Sequence, residues 1–508
     1  MPYNSNTRIA QNTLALYCRM LLNMVVVFYT SRVVLSILGV EDFGIYNVVG
    51  GVVNLFTFLN TAMSSATQRF FAFEIGHKSG VDRISKVFST SLNIHLLIAV
   101  LIFLLGETLG LYFLNTCLVI PSDRFIAANC VYQCSIVCCC IGVMALPYNA
   151  IVISYERMAV FAYISIFDVV LKLLVVYLLY ITVFDKLIIY ALLLLIVSLI
   201  TPSVYVLYCR KNFPETKYQC VKDKTLFKEM SNFAGWNLFG NIAYMGFTQG
   251  INILLNIFFG PAANAARGVA VQIQNAIGQF SRNFQIAVNP QITKNYAVGD
   301  LSTMHSLLFR SSKLSFFLLF IISLPALLQA EKILSWWLVE VPDHTVSFFK
   351  IIICIAMIDV LANPMNISAQ ATGNIKKYQI IEGGTLLLIV PISYIILKLY
   401  HVPEIVFVVH LLIALLVQCI RIYLLKQMIH LSIKKYICNV VFRIFIVSFM
   451  YFITMYTVHI ICPTLFDNFF ICTLFSLITS GLFVMVLGLT KSEKGFVIRT
   501  LKKLHYAK

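Results

Sequence analysis

The sequence predicts an all-α polytopic membrane protein of about fourteen transmembrane helices: two six-helix bundles in a parallel pseudo-two-fold repeat, followed by an extra C-terminal helix pair. Three observations carry this. Apolar residues fill 60% of the 508 positions and charged residues 12%, against roughly 25% charge in a soluble chain. So little polar surface needs lipid as part of its solvent. Apolar stretches of about 20 residues, the length that crosses a bilayer, recur along the whole chain, and the short connections between them alternate in charge. The same composition excludes a disordered chain, a disulfide-rich secreted domain and an ordinary soluble enzyme.

By length, the spans lie near 11–37, 45–72, 88–114, 126–153, 158–183, 187–208, 232–258, 263–290, 308–328, 347–372, 378–399, 403–424, 438–461 and 468–489. The polar start MPYNSNTRI is followed by no small-residue cleavage site and reads as retained. With that end in the cytoplasm, even-numbered connections should be basic. They carry Lys78, Arg83 and Lys86, then Arg210, Lys211, Lys217, Lys222, Lys224 and Lys228, then Lys376 and Lys377, then Lys426, Lys434 and Lys435. The tail adds Lys491, Lys494, Arg499, Lys502, Lys503 and Lys508. Odd-numbered connections are acidic or neutral, with Glu41 and Asp42 in the first and Glu331, Glu340 and Asp343 against Lys332 in the ninth. One missed span would invert every later loop, so both termini are expected in the cytoplasm. The expected division is 1–208 for the first bundle, 209–231 for a basic loop, 232–430 for the second bundle, 431–490 for spans thirteen and fourteen, and 491–508 for a basic tail.

The net charge of +17 reflects basic loops or, more sharply, an anionic partner such as a substrate or a lipid headgroup. Five of the fourteen cysteines, Cys130, Cys134, Cys138, Cys139 and Cys140, share one apolar run without metal-ligand spacing. They read as small packing residues.

Two pairs of events suggest an internal repeat. One span ends at Gly39 and another at Gly260, and Pro147-Tyr148-Asn149 of span four echoes Pro364-Met365-Asn366 of span ten at nearly the same offset. That offset matches six spans per copy. Six spans leave both copies in the same orientation, with a central cavity expected between them.

Polar stripes run along several spans. At 100° per residue, Arg267, Gln274, Asn275, Gly278, Arg282, Gln285 and Asn289 of span eight project within about 80° of one another. Span seven carries Asn237, Asn241, Tyr244, Thr248 and Asn252; span one carries Asn12, Arg19, Asn23 and Thr30; span two carries Asn47, Asn54, Thr61, Ser65 and Gln68; span ten carries Asp359, Asn363, Asn366 and Gln370. Scattered amides in lipid are often interhelical glue, but an arginine at the bilayer centre costs roughly 2.5–3.5 kcal/mol unless it meets water, a partner or a ligand. The stripes are therefore expected to line an aqueous cavity. Arg32 points away from the Arg19 stripe and either snorkels or pairs at a helix end. Arg69 reads as a topology charge. Among the mid-span acids, Asp168 has Lys172 one turn on as a neutralising partner. Asp359 has no such neighbour and is either a counter-ion to an arginine or a cation-coupling site. No phosphate loop, nucleophile elbow, zinc-binding helix or dinucleotide-binding turn occurs. No enzyme, cofactor, metal or nucleic-acid partner is expected.

The opening stretch, from NTLALYCRMLLNMVVVFYTSRVVLSILGVEDFGIYNVVGG through FLNTAMSSATQRFFAFEIG, closely resembles Bacteroidetes-type Wzx-like polysaccharide flippases of the multidrug/oligosaccharidyl-lipid/polysaccharide (MOP) exporter superfamily. The element Leu38, Gly39, Phe43, Gly44, Tyr46 is its most telling part. The resemblance implies translocation of an undecaprenyl-diphosphate-linked oligosaccharide from the cytoplasmic to the outer leaflet of a bacterial inner membrane, by alternating access, for surface polysaccharide. It also implies a cavity whose arginines meet the diphosphate. In the related lipid II flippase, arginines of spans one, two and eight face the cavity. Arg267 falls at the comparable place in span eight, Arg32 stands near the span-one position, and Tyr46 occupies the span-two position. Spans thirteen and fourteen of that relative hold the lipid tail. The expected substrate-binding set is thus Arg19, Asn23, Arg32, Asn237, Asn241, Tyr244, Arg267, Gln274, Arg282 and Gln285, with Asp359 and Asp168 as coupling or counter-ion positions for Na+ or H+. Two alternatives stay open: a cation-coupled exporter of small molecules, and a structural membrane protein that transports nothing.

Overall fold

The computed structural model describes residues 2–54, 57–116, 120–220, 223–338, 341–490 and 493–495. Of the positions named above, Lys222, Glu340, Lys491, Arg499, Lys502, Lys503 and Lys508 lie outside these residues, as do the side chains of Glu41, Asn47, Asn54 and Thr61. Among the described residues every regular element is helical, and twelve helices are long and apolar enough to cross a membrane. Of the two expected spans outside this count, span two runs across residues 55–56, which lie outside the described residues, and span eight is lowered in hydropathy by its polar residues; what is described of both is helical. The protein is a multi-pass membrane protein of two helical bundles. The chain divides into two units, Gln11–Asn241 and Ile242–Lys508 with Met1–Ala10.

The first unit is built from α1 (Pro2–Asn54), α2 (Thr57–Gly76), α3 (Val81–Leu105), α4 (Leu111–Thr116), α5 (Phe125–Ser154), α6 (Met158–Ile181) and α7 (Lys186–Asn212). It ends inside α8 (Lys224–Ala297). Spans one and two are the limbs of α1, continued by α2, and they meet at Gly39, where φ is 79° and ψ 172°. A side chain is strained in that region because Cβ crowds the carbonyl. The core joins Val34, Leu38, Ile45 and Val49 of α1 to Val131, Tyr132 and Ile136 of α5 and to Val176 and Leu179 of α6. Cys134 belongs to this core, and Cys130, Cys139 and Cys140 border it. A π-helical turn, Gly106–Gly110, links α3 to α4, and the Tyr132 hydroxyl donates to the Gly106 carbonyl at 2.7 Å.

The connection after α7 is docked on its own bundle. Ser85 donates to the Lys217 carbonyl (3.1 Å), the Gln219 amide donates to Ser89 (2.9 Å), and Tyr155 donates to Glu215 (2.7 Å) while stacking on Phe213 at 4.7 Å. Asp223 at its end faces Arg83 at 3.9 Å, and Arg210, Lys211 and Lys217 are exposed. At the opposite end of the unit, Arg124 forks between two acids. It donates to Asp42 (2.8 Å from Nε) and to Asp185 (2.6 Å from Nη1), and Asp185 also caps the first turn of α7.

The second unit repeats this order. The limbs of α8 meet at Gly260, with φ 74° and ψ −172°, the conformation of Gly39. Then follow α9 (Leu301–Leu328), α10 (Ala330–Trp337), α11 (Thr345–Asp359), α12 (Ala362–Ala371), α13 (Lys376–Leu387), α14 (Ile389–Tyr400) and α15 (Ile405–Ile429). The Pro-x-Asn echo diverges here. Pro147 sits inside the continuous α5, whereas span ten breaks after Asp359 and Pro364 falls in the first turn of α12, where its missing N–H has no helical partner to lose. The extra pair, α16 (Ile433–Tyr436) with α17 (Phe442–Ile461) and, after α18 (Thr464–Asp467), α19 (Phe469–Phe483), packs on α9. Phe320 meets Tyr451 edge-on at 5.7 Å, Tyr451 and Ser476 share a 2.6 Å hydrogen bond, and buried Lys313 pairs with Glu493 at 2.7 Å.

Deep in this unit lies a second ion pair. Arg421 of α15 donates to Glu382 of α13 from Nε (2.9 Å) and Nη2 (2.7 Å), and to Gln418 from Nη1 (3.2 Å). Arg421 is 4% and Glu382 6% exposed. Tyr378 donates to Asn366 beside them.

Two stability outcomes follow from these features. Gly39→Ala and Gly260→Ala each destabilise the detergent-purified protein by roughly 1–3 kcal/mol of backbone strain, read as a lower thermal midpoint. An added Cβ meets no atom within 4 Å at either site, so sterics contribute nothing. Glu382→Leu or Arg421→Leu alone costs on the order of 3–5 kcal/mol by stranding a buried charge, and the double Leu variant recovers most of it.

Candidate functional site

The second unit gathers polar groups from spans seven, eight, ten and twelve. Tyr244, Thr248 and Asn252 recur at i, i+4 on the first limb of α8, which stacks them on one face. The turn at Gly260 brings Arg267 of the second limb back to that face. Its guanidinium donates to Asn252 and, at 3.3 Å, to the Thr248 carbonyl. Arg282, four turns further along, folds back on its own helix over Gly278 and donates to the Asn275 carbonyl at 2.8 Å. Tyr244, half exposed, lies within electrostatic reach of Arg267, Arg282 and Asp359. The His410 ring meets Phe247 edge-on at 5.1 Å, and Phe247 meets Tyr244 in the same way at 5.1 Å.

Arg267 and Arg282 form no salt bridge among the described residues; the oxygens they donate to are all neutral. A guanidinium held by carbonyl and amide dipoles keeps its full charge and several of its five donors for an anion. Asp359, the last residue of α11, is partly buried and makes no hydrogen bond or ion pair among the described residues. Its charged neighbours are Arg421 and Glu382. Gln274 is partly exposed on the same helix as Arg282. Gln285 is different. It is 3% exposed and donates to the Val360 carbonyl at 2.9 Å, supplying the hydrogen bond that the break in span ten leaves open.

In the first unit Arg19 lies 4.8 Å over the Phe161 ring and donates to Ser165 at 3.4 Å, with Tyr205 in electrostatic reach. Asn23 and Arg32 are exposed. Asn12, buried, donates to the Glu156 carbonyl at 3.3 Å. Asn237 is buried and its carbonyl accepts from Asn241 at 2.9 Å, so these amides serve the helix as well as any ligand. Asp168 pairs with Lys172 at 2.7 Å and accepts from Thr201 at 2.9 Å. Arg69 is no surface charge: it is 7% exposed, with the Phe70, Phe73 and Phe233 rings 4.6, 4.9 and 5.4 Å from its guanidinium carbon.

Sequence reasoning passed over the Glu382–Arg421 pair. The signal for the pair was present, because Arg421 interrupts the apolar run of span twelve and an unpartnered arginine there is costly. Its partner sits on a different span, α13, beyond the reach of any helical period.

Several solved structures of transporters share this fold. A multidrug resistance MATE family transporter of the MOP superfamily, in an outward-facing conformation, superposes with a TM-score of 0.71 at 12% identity, covering 83% of this chain and 96% of that one. A MOP superfamily transporter from Pyrococcus furiosus, whose binding pocket is described as of reverse polarity, gives 0.69 at 13% identity over 83% and 96%. The MATE transporter ClbM in complex with Rb+ gives 0.65 at 14% identity over 86% and 96%. At such identities the likeness concerns the fold alone. None of the curated proteins compared with the chain matches it. A family model described as polysaccharide biosynthesis protein matches residues 8–301, more than half of the chain, and the protein therefore belongs to the polysaccharide biosynthesis protein family, with the fold of the MOP-superfamily transporters.

Proposed function

We propose that the protein is a flippase that carries an undecaprenyl-diphosphate-linked oligosaccharide from the cytoplasmic to the outer leaflet of a bacterial inner membrane by alternating access. The observation that carries this reading is the pair Arg267 and Arg282, two guanidinium groups that make no salt bridge among the described residues and donate only to neutral oxygens. Planar guanidinium forks suit phosphate oxygens, and family membership supplies the class of cargo. In this reading Arg267, Arg282 and Arg19 receive the diphosphate, and Arg32 receives it toward the outer side. The sugars meet Asn23, Asn241, Tyr244 and Gln274, while Asn237 and Gln285 act through the helix contacts they make. Residues 1–208 and 232–430 are the alternating bundles, residues 209–231 and 491–508 lie in the cytoplasm with both termini, and spans thirteen and fourteen within 431–490 hold the isoprenoid. Moving two negative charges out of a cell that is negative inside is favoured by roughly 4–5 kcal/mol per 100 mV. Asp359, the mid-span acid without an ion pair, is the group at which Na+ or H+ would couple to transport. Asp168, already paired with Lys172, is a counter-ion.

The experiment uses a strain whose own copy is deleted. Arg267→Gln and Arg282→Gln, at normal membrane levels, each lower surface glycan about 10- to 100-fold, the loss of one charge-assisted contact, and lipid-linked glycan accumulates on the inner leaflet. Undiminished surface glycan in both variants overturns the assignment. In vesicles, Asp359→Asn retains glycolipid binding but loses the response of transport to an imposed Na+ or pH gradient. An unchanged response removes Asp359 from coupling.

A further inference from the structure

The repeat places one ion pair at equivalent points of the two units, and the two pairs differ in chemistry. In the first unit Arg124, just before α5, holds Asp185 at the start of α7. Their counterparts at the repeat offset are His344, just before α11, and Glu404, just before α15. His344 Nδ1 lies 2.6 Å from Glu404 Oε1, and the Ser347 hydroxyl donates to the same oxygen at 2.7 Å. The first clamp has a third member, Asp42 of α1. The offset that joins Gly39 to Gly260 carries Asp42 onto Ala263, buried and apolar. One unit thus has a three-legged clamp on a guanidinium that never loses its proton, and the other a two-legged clamp on an imidazole.

Histidine is the side chain whose ordinary titration falls between pH 5 and 8. His344 is 47% exposed and borders an open depression lined by Val341–Ser347 and Lys350, so protons reach it freely. The charged groups around it are few. Asp343 precedes it, Lys350 lies beyond it on α11, and Glu404 faces it from the start of α15. On α10, packed against α11, Glu331 and Lys332 are the charges, and Lys332 is turned to the carbonyls of Phe466 and Asp467 at 3.0 and 2.7 Å. Only Glu404 pairs with His344 among the described residues. On Glu404, burial pushes the carboxyl up, but the hydrogen bonds from Ser347 and His344 outweigh it and hold the group below the ordinary glutamate range. Glu404 therefore stays ionised through the range in which histidine side chains ordinarily change charge. An imidazolium meets that carboxylate through a charge-assisted hydrogen bond, and a neutral imidazole through a weaker ordinary one.

We propose that His344 and Glu404 form an acid-strengthened latch across the outer ends of α11 and α15, and that Arg124 with Asp42 and Asp185 is its pH-independent counterpart in the first unit. These ends are the outer ones in the membrane orientation of the proposed flippase. As external pH rises, the second unit alone loosens at that end. The helices so released carry Asp359, His410 and Arg421, so the latch tunes the mobility of the unit in which the arginine site lies.

The test needs neither substrate nor transport, so its failure is distinct from failure of the flippase reading. Hydrogen–deuterium exchange is followed in nanodiscs at pH 5.5 and pH 8, corrected for the intrinsic pH dependence of exchange. Segments 341–350 and 400–408 should exchange about two- to fivefold faster at pH 8, the range open to an exposed ion pair, while 122–126 and 183–188 stay constant. His344→Arg should show slow exchange at both pH values, and His344→Gln fast exchange at both. Equal protection of 341–350 at the two pH values in the unmodified protein, or a pH dependence that survives in His344→Arg and His344→Gln, overturns the latch.

Discussion

An unpaired charge is costly in an apolar medium, and the internal order of both units follows from how each charge escapes that cost. Some charges escape by meeting the opposite sign. Arg421 meets Glu382, Lys313 meets Glu493 and Lys172 meets Asp168, each at 2.7 Å. Such pairs are closed units with little left to offer a ligand. Arg267 and Arg282 escape in another way, resting on amide and carbonyl oxygens of their own helix. Neutral acceptors lower the cost of the charge without cancelling it. That contrast separates cations closed into ion pairs from cations held by neutral acceptors alone, and the proposed diphosphate site is built on the second kind.

The fold was largely legible in the sequence because its signals are local. Span length, loop charge and the spacing of Gly39 and Gly260 are all read along one dimension, and both glycines adopt the same backbone conformation. The site was less legible because it depends on which side of a helix a neighbour occupies. The stripe on span eight is wide enough to be divided: Gln285 turns into the contact with span ten while Gln274 stays partly open. Periodicity gave both the same standing. Arg69 was misread for a related reason. Its nearness to a loop suggested solvent, but an aromatic residue from the start of α8, Phe233, closes over it, and no pattern within span two announces that.

The repeat is a shared scaffold on which the two units have diverged in polar chemistry. The turn at the head of each six-helix set is the same. The Pro-x-Asn element is not. In α5 the chain runs straight through Pro147 and the Asn149 side-chain oxygen has no partner among the described residues, whereas span ten breaks and Asn366 accepts from Tyr378. A broken helix frees backbone carbonyls at membrane depth, which is tolerated only where protein or water satisfies them. Gln285 supplies one such bond, to Val360. The break also leaves Asp359 at a helix end, beside Arg421 and Glu382 rather than inside a regular apolar turn.

The same divergence sets the polar chemistry of the two units apart. The first unit ties its acidic end with a permanent cation and satisfies Asp168 with Lys172 and Thr201, so those acids have settled partners. The second unit holds Asp359 without an ion pair and His410 on an aromatic edge, and its end clamp uses an imidazole. Each of these groups changes charge at a cost that a proton, a cation or an anion can alter. A transporter needs at least one element whose preferred state depends on what is bound. On the flippase reading, Asp359 and the His344–Glu404 clamp place such an element in the second unit, while Arg19 and Arg32 keep the first unit open to the same ligand.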